Sequence, residues 1–345
     1  MPPHKITWPD AAGKLAAALP RERLHPAACT GMEAVPGPWA VAFSGGADSL
    51  ALLLLLWAHW PERRRKLVAL HFNHRLRGRA SGVDERFCRR VCASLGVKFL
   101  AGRWRAARPG ASEAEMRAVR FRFFAQGLRA HRAHALYFGH QQDDIAESML
   151  MRLARGSGAG GLAAPRPVQS RPAGRMHLRP LLSLKKAEIV AALRLAGVPW
   201  REDATNASGD FFRNRVRRAV LPAWQRAAGE RDVLAGAAQA RELLEEDDAA
   251  LNAWLDELVP LRKKAVLDLR RLAGKPRAVL RRALHGWLLA QPEEGKISRQ
   301  GFAALLSAVE SARPTRQSLG VKGFAVIRRG RLEFERRTRR PNRAG

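Results

Sequence analysis

The sequence predicts an α/β domain built on a parallel sheet, followed by a mainly helical domain that ends in a β-hairpin. Short apolar runs alternate with helix-like segments between residues 39 and 155, which is typical of a parallel sheet with helices on both faces. A two-faced helical pattern begins near Val216. These two patterns predict three segments, a leader at 1–38, an α/β domain at 39–215 and a helical domain at 216–345.

The first predicted strand and helix are separated by a glycine-rich turn. The apolar run 39–43 ends at the hexapeptide SGGADS, residues 44–49, and apolar residues resume at 50–57. Glycines let backbone N–H groups approach an anion, and the helix N-terminus adds partial positive charge. The hexapeptide has no Gly-Lys-Ser/Thr ending and is therefore not a Walker A loop. The turn predicts a phosphate site, although a plain strand–turn–helix connection would use the same glycines.

Three further strands follow, each with a helix after it. The apolar runs predict strands at 66–72, 97–102 and 135–140, and the intervening patterns predict helices at 81–95, 112–130 and 143–155. Ser112 and Glu115 form the capping box that begins the second of these helices. Because ligands of parallel sheets bind beyond the carboxyl ends of the strands, we expect the polar segments there to form the site.

The remainder of the chain is predicted from composition and periodicity. A Gly/Pro-rich loop follows Arg155, a helix covers 183–196, and residues 200–215 are polar and irregular. In the last domain, apolar residues between 302 and 309 repeat at helical spacing. The alternating end of the chain turns near Arg329-Gly330, as a hairpin does.

The charge of the chain indicates a polyanionic partner. The 345 residues include 62 Lys and Arg against 31 Asp and Glu, a formal net charge of +31. Nucleic acid is the first expected partner and an anionic membrane surface the second. Because the longest apolar run, 50–57, is far shorter than the about 20 residues that span a bilayer, no membrane segment is expected. Three cysteines and a polar start predict a protein of the reducing cytoplasm.

A second polar segment, GHQQDDIAES at 139–148, follows the fourth predicted strand. Asp144 and Glu147 are three positions apart and share one helix face, and His140 lies at the strand end. Clustered carboxylates hold Mg²⁺ or a substrate ammonium, and histidine can act as acid or base near neutral pH. The alternative is an acidic first turn that stabilises its own helix.

Several segments in one order resemble a known family. The chain is similar to the tRNA(Ile)-lysidine synthetases of the PP-loop ATP pyrophosphatase superfamily, densely over residues 39–222. The similarity implies an adenine-nucleotide α-hydrolase-like fold for the first domain. The segments that carry it are SGGADS, HFNHRLR, SEAEMRAVRFRFF, GHQQDDIAES with RGSGAGGL, HLRPLL, and WREDATNASGDFFRNRVRRAVLP.

The resemblance implies a ligase that forms a carbon–nitrogen bond on tRNA. Such an enzyme joins free L-lysine to carbon 2 of the wobble cytidine in tRNA(Ile) with a CAU anticodon. ATP first adenylates the cytidine and releases pyrophosphate, and lysine then displaces AMP. The resemblance implies ATP as the co-substrate, Mg²⁺ as the metal and that tRNA as the partner. Whether the protein forms a homodimer is left open by the sequence.

The resemblance also implies roles for individual residues. Asp48, His140 and Asp144 would be catalytic, Asp48 would hold Mg²⁺, and Asp144 and Glu147 would bind lysine. The residues expected at ATP are Ser44, Gly45, Gly46, Ala47, Asp48, Ser49 and Arg117. Those expected near tRNA are Arg155, Arg213, Asn214 and Arg217. Gln141 and Ile145 depart from the family pattern.

Two other functions are compatible with parts of the sequence. A PP-loop enzyme that thiolates tRNA needs reactive cysteines, usually in C-x-x-C pairs. Cys29, Cys88 and Cys92 form no such pair. A non-catalytic RNA-binding protein would explain the charge, but it would not explain a glycine loop beside a His/Asp/Glu cluster.

Overall fold

The chain divides into two compact units, Met1–Glu245 and Glu246–Gly345. The computed structural model describes residues 7–75, 79–104, 111–202, 211–259, 266–291, 297–321 and 323–337. Each unit has its own hydrophobic core.

A six-stranded sheet forms the centre of the first unit. Its strand order is β3-β2-β1-β4-β6-β5, and all neighbours are parallel except β5, which runs antiparallel to β6. The predicted parallel α/β fold is therefore confirmed. The strands are β1 (Trp39–Ala42), β2 (Leu67–Asn73), β3 (Lys98–Arg103), β4 (Ala135–Tyr137), β5 (Val168–Arg171) and β6 (Arg175–Leu178).

Eleven α-helices lie before, among and after these strands in the described part of the first unit, and the last of them continues into the second unit. They are α1 (Trp8–Ala18), α2 (Pro26–Glu33), α3 (Ala47–His59), α4 (Arg79–Ser94), α5 (Glu113–Ala130), α6 (Gln142–Leu153), α7 (Ala159–Leu162), α8 (Lys186–Leu195), α9 (Phe212–Arg215), α10 (Leu221–Ala227) and α11 (Val233–Leu258), with a π-helical turn at Val216–Val220. The predicted cap of α5 is present, since the Ser112 hydroxyl accepts a hydrogen bond from the Glu115 backbone at 3.2 Å.

Most of the predicted leader belongs to the core of the first unit. In α1 and α2, Ala12, Leu15 and Met32 are fully buried, in the same hydrophobic cluster as the leucines of α3. The sequence suggested a separate segment because Pro, Ala and basic residues dominate it. Burial depends on the neighbouring helix, which local composition does not reveal.

Strands β5 and β6 have no counterpart in the sequence prediction. Val168 to Arg171 is short and mostly polar, as is Arg175 to Leu178, so neither has the apolar run of a buried strand. Pairing with β4, in which Ala135 lies opposite Met176, supplies the hydrogen-bonding partners that define the strand β6.

The order of the strands defines where a ligand can bind. From β1 the chain moves outward through β2 and β3, then returns to place β4 on the other side of β1. Such a reversal opens a crevice between the carboxyl ends of the two central strands. The glycine turn 44–49 follows β1 and the segment 139–148 follows β4, so both polar segments lie at this crevice.

The segment after residue 211 packs on the first unit, although we expected a boundary at residue 216. Leu221, Val233 and Leu234 form one buried cluster with Ile145 and Leu182. The division between the units falls about 30 residues later, within α11. Helical periodicity alone cannot reveal which domain an amphipathic face packs against.

The second unit combines helices with a four-stranded antiparallel sheet of order β7-β10-β9-β8. Its remaining elements are β7 (Leu267–Asp268), α12 (Arg277–Leu289), α13 (Arg299–Glu310), β8 (Thr315–Ser318), β9 (Gly323–Arg328) and β10 (Arg331–Arg336). Strands β9 and β10 form the predicted hairpin, and Arg329 and Gly330 both have positive φ, as a tight hairpin turn requires. Among the described helices of the chain, none has the length and apolar character needed to cross a bilayer.

Candidate active site

The glycine turn between β1 and α3 is held by local hydrogen bonds. Gly45 has a φ of +87°, and a Cβ there would lie 2.9 Å from Cys88 Sγ, so the position requires glycine. The Ser49 hydroxyl accepts from the Ser44 backbone N–H at 3.1 Å and lies 3.1 Å from the Gly46 carbonyl oxygen, to which it donates. These hydrogen bonds define the shape of the turn.

Asp48 lies in the first turn of α3 and faces the crevice. Its Oδ1 atom accepts a hydrogen bond from Lys186 Nζ at 2.7 Å. Burial raises the pKa of Asp48, and the nearby ammonium of Lys186 opposes that shift. Mg²⁺ in nucleotide sites is commonly held by one or two carboxylates together with substrate phosphates, so a single aspartate at a phosphate loop fits this ion.

Gly139 brings the end of β4 into contact with the first turn of α3. A Cβ at Gly139 would lie only 2.7 Å from the backbone carbonyl oxygen of Asp48. Any larger side chain would separate the two central strand ends. The sequence analysis assigned no role to Gly139, because the contact partner is 91 positions away in the printed sequence.

His140 is a neutral imidazole in this environment. Its Nδ1 atom accepts a hydrogen bond from Arg179 Nε at 3.2 Å, which leaves the proton on Nε2. Burial lowers the pKa of His140 to about 3, Asp144 opposes that shift, and the guanidinium of Arg179 adds to it. The ring therefore offers an N–H donor rather than an imidazolium acid. The Arg179 guanidinium is itself fixed by the Arg166 carbonyl at 2.6 Å.

Asp144 is buried at the start of α6 and caps the helix. Its Oδ2 atom accepts from the Gln141 backbone N–H at 3.0 Å, and the Gln141 side chain accepts from the Asp143 N–H at 2.6 Å. Although burial favours the neutral acid, the guanidinium of Arg213, the hydrogen bond from the Gln141 N–H and the nearby Arg217 hold the pKa of Asp144 below its usual value. The capping role and a ligand role therefore use the same carboxylate.

Two arginines form ion pairs with the carboxylates that were predicted to bind lysine. Glu147, of which 1% is exposed, accepts from Arg213 Nε at 2.9 Å and from Arg217 Nη2 at 3.0 Å. Arg213 also pairs with Asp144, and Arg217 lies 3.7 Å from it. The structure thus joins residues expected at lysine with residues expected at tRNA in one ion-pair network.

More positive charge surrounds this network. Burial lowers the pKa values of Arg120 and Arg179 to about 10, and repulsion from the nearby Arg117 acts in the same direction. Arg120 Nε is buried without a hydrogen-bond partner among the described residues. Arg117 stacks on the Phe121 ring at 4.7 Å. An excess of guanidinium groups favours binding of an anion, which is compatible with the expected phosphate contact of Arg117.

The other predicted site residues have separate positions. Ala47 begins α3 and is buried, Arg155 is exposed after α6, and Asn214 lies in α9, half-buried. Residues 203–210 of the family-like segment lie outside the described residues.

Lys186 and Arg179 are functional candidates that the sequence analysis missed. Lys186 pairs with a residue 138 positions earlier, and Arg179 with one 39 positions earlier. No local pattern distinguishes them from the other basic residues, and the segment HLRPLL was the only available signal for Arg179.

Comparisons with known proteins identify the sequence family to which the chain is similar. A sequence family described as the PP-loop domain matches residues 29–224. The chain is 35% identical over 291 residues to a tRNA(Ile)-lysidine synthase of Geobacter sulfurreducens, covering 80% of this chain and 60% of that protein. It is 36% identical over 310 residues to a tRNA(Ile)-lysidine synthase of Xanthomonas campestris, and that match covers 87% of this chain and 68% of the relative. It is 43% identical over 183 residues to a tRNA(Ile)-lysidine synthase of Solibacter usitatus, and that match covers 53% of this chain and 40% of the relative.

The chain spans between 40% and 68% of the lengths of these relatives. Among solved structures, it is similar to the U34-tRNA thiolase NcsA from Methanococcus maripaludis with its [4Fe-4S] cluster. That similarity has a TM-score of 0.51 at 18% identity and covers 68% of this chain and 78% of the other. It supports the fold alone.

Proposed function

The chain belongs to the tRNA(Ile)-lysidine synthase family of PP-loop proteins, and we propose that it ligates free L-lysine to carbon 2 of the wobble cytidine in tRNA(Ile) with a CAU anticodon. The observation that carries the proposal is the meeting of a glycine loop and a carboxylate–guanidinium network at the ends of β1 and β4. One side suits a triphosphate and the other suits an amino acid.

In the first step, the glycine loop would hold the triphosphate of ATP. The cytidine O2 attacks the α-phosphorus, the bond to the bridging oxygen breaks, and pyrophosphate leaves with its electron pair. Backbone N–H groups of Gly45 and Gly46 and the Ser44 hydroxyl suit the departing phosphates. Asp48 would hold Mg²⁺, which neutralises phosphate charge when bound. His140, neutral, can donate a hydrogen bond from its Nε2–H group to a developing negative charge.

In the second step, the lysine ε-amine would attack carbon 2 of the adenylated cytidine. The new C–N bond forms, the C–O bond breaks, and AMP leaves with the oxygen, while the amine loses a proton. A zwitterionic amino acid presents both an ammonium and a carboxylate. Asp144 and Glu147 would bind the ammonium, and Arg213 and Arg217, released from them, would bind the carboxylate.

The partner tRNA accounts for the strong positive charge. A net charge of +31 attracts a polyanion through many weak phosphate contacts. Arg155 is exposed next to the crevice helix α6 and remains the simplest phosphate contact of the expected set. We assign the protein to the cytoplasm, where tRNA, ATP and free lysine occur together.

Thiolation of tRNA is the second candidate, and the environment of the cysteines argues against it. Cys88 and Cys92 are fully buried, and burial raises the pKa of Cys92 to about 12. The thiolate is the reactive form of cysteine, and this environment disfavours it. The non-catalytic alternative gives no reason for a buried carboxylate pair beside a glycine loop.

The decisive experiment supplies labelled lysine, ATP and a tRNA(Ile) transcript with a CAU anticodon. We expect label to enter the tRNA with release of AMP and pyrophosphate, and we expect no label in a transcript with a changed anticodon. Incorporation that ignores the anticodon, or turnover that needs a sulfur donor instead of lysine, would overturn the proposal.

A further inference from the structure

We propose that Lys186 is a ligand of the ATP phosphates, an inference that rests on the proposed function. The glycine loop 44–49 contains no lysine of its own, unlike a Walker A loop, in which a lysine reaches the β- and γ-phosphates. Lys186 supplies an ammonium at the same loop from a distant helix. On binding of ATP, it exchanges the Asp48 carboxylate for a phosphate oxygen.

The first observation is the position of the ammonium. Lys186 Nζ lies 2.7 Å from Asp48 Oδ1, and Asp48 belongs to the first helical turn after the glycines. The Lys186 side chain is 39% exposed and that of Asp48 is 29% exposed, so the pair is open to solvent on one side. A pair of this kind is accessible to an incoming polyphosphate and is not sealed in the core.

The second observation is how the backbone of Lys186 is held. Its N–H group donates to Asp143 Oδ2 at 2.9 Å, and the Gln142 N–H donates to the Leu184 carbonyl at 2.8 Å. These bonds join the first turn of α8 to the first turn of α6. The side chain therefore extends from an anchor on the β4 side of the crevice toward the loop on the β1 side. The anchor uses only the Lys186 main chain, so it survives replacement of the side chain.

Charge balance explains why the pair exchanges partners. ATP brings several negative charges, and Asp48 would add one more at the same loop unless Mg²⁺ takes its carboxylate. If Asp48 held Mg²⁺ in this way, the Lys186 ammonium would be without its carboxylate partner next to the phosphates. A charge-assisted hydrogen bond to a phosphate oxygen then replaces the one to the carboxylate. The resting pair keeps both groups in position for these roles.

The adjacent lysine provides a matched control. Lys185 pairs with Asp232 instead of Asp48. Lys185→Met and Lys186→Met remove the same charge one residue apart, so the two variants have the same net charge and the same composition. A general electrostatic effect would weaken nucleotide binding equally in both, whereas a specific phosphate contact would affect Lys186→Met alone.

The test measures equilibrium binding of ATP and of AMP in the presence of Mg²⁺ by calorimetry. We expect Lys186→Met to weaken ATP binding about tenfold or more, to leave AMP binding unchanged, and to be partly rescued by Lys186→Arg, whereas Lys185→Met binds both nucleotides normally. Unchanged ATP affinity in Lys186→Met would overturn the inference. If the wild-type protein itself binds no ATP, the proposed function fails first, which distinguishes the two outcomes.

A second arm separates phosphate binding from simple neutralisation of Asp48. In an Asp48→Asn background the carboxylate charge is absent, so a lysine that only neutralises it has no further effect. A phosphate ligand still contributes there, and the double variant Asp48→Asn/Lys186→Met should bind ATP at least several-fold more weakly than Asp48→Asn. Equal affinities of the single and double variants would refute the contact.

Discussion

The glycine loop 44–49 and the carboxylate network of Asp144 and Glu147 lie at adjacent strand ends but are built in different ways. The hydrogen bonds inside the loop join residues at most five positions apart, although the Arg201 N–H also donates to the Gly45 carbonyl oxygen at 2.9 Å and Lys186 pairs with Asp48. The ion pairs of the network join residues 66 and 70 positions apart. The shape of the loop thus depends largely on bonds between near neighbours in the sequence, whereas the network exists only after tertiary folding.

This difference has a consequence for ligand binding. At the loop, an incoming phosphate would compete with short-range hydrogen bonds, in which the Ser44 and Gly46 N–H groups donate to Ser49 Oγ at 3.1 Å and to Ser44 Oγ at 3.3 Å. The carboxylates are already paired with Arg213 and Arg217, and an incoming ammonium has to displace those guanidinium groups. We therefore expect ATP affinity and lysine affinity to respond to different substitutions.

The largest effect is expected on the loop side. Asp48→Ala removes the carboxylate that would hold Mg²⁺ and the partner of Lys186, and we expect lysine incorporation to fall by roughly a thousandfold or more. Binding of tRNA, measured by filter retention, should largely survive because its charge contacts lie elsewhere. Asp232→Ala, which removes the partner of Lys185, serves as the control and should retain activity. Full activity of Asp48→Ala would contradict the assigned site.

The next effect is expected on the network side. Glu147→Gln keeps the size of the side chain but removes the charge that pairs with Arg213 and Arg217, and we expect the KM for lysine to rise between about tenfold and a hundredfold. The KM for ATP should change little. Steady-state kinetics with each substrate varied in turn provides the measurement.

Glu242→Gln, a change at an exposed glutamate, is the control for that experiment. If Glu147→Gln raises the KM values for ATP and lysine equally, the two sides of the crevice are not independent and the comparison above is wrong.

A third substitution tests the contact between the two sides. Gly139→Ala places a Cβ against the Asp48 carbonyl, and we expect the free energy of unfolding to fall by about 1–3 kcal/mol and the affinity for ATP to decrease. Gly158→Ala is the matched control, because nothing lies within 4 Å of a Cβ there. Denaturant titration and nucleotide binding provide the two readouts. A Gly139→Ala protein as stable as the control would show that the strand ends can separate freely.

The last expected effect, similar in size per residue to that of Gly139→Ala, is that of pH on stability. Burial lowers the pKa values of His140 and His177 to about 3, and Arg179 contributes to both shifts. The unfolded chain binds protons on these rings near pH 6.5, whereas the folded chain does not. Their contribution is complete above about pH 6.5 and is lost as the pH falls toward 3. Between pH 7 and pH 5 we expect a loss on the order of 2 kcal/mol for each histidine.

Chemical denaturation at several pH values tests this expectation. His140→Asn should reduce the slope of the free energy of unfolding against pH, whereas replacement of the exposed His134 should not. A wild-type protein equally stable at pH 5 and pH 7 would show that both rings accept protons in the folded state.

The sequence predicted well those features that depend on neighbouring residues. The glycine turn, the Ser112 cap and the hairpin turn at Arg329-Gly330 each need particular backbone angles or a side chain within a few positions. The helical boundary near Val216 was less informative, because Leu221 and Val233 pack on the first unit. Periodicity gives the apolar face of a helix but not the surface that covers it.

The sequence by itself determined the α/β fold, the glycine turn after β1, the polar residues after β4 and the charge that favours a nucleic acid. Only the tertiary structure decided that Arg213 and Arg217 form ion pairs with Glu147. The same holds for the pairing of Lys186 with Asp48 and for the contact of Gly139 with the loop. The reason is physical: backbone angles and helix caps are short-range, whereas ion pairs form wherever folding brings opposite charges together. A chain with 62 basic residues offers too many partners for sequence position to identify the pair that forms.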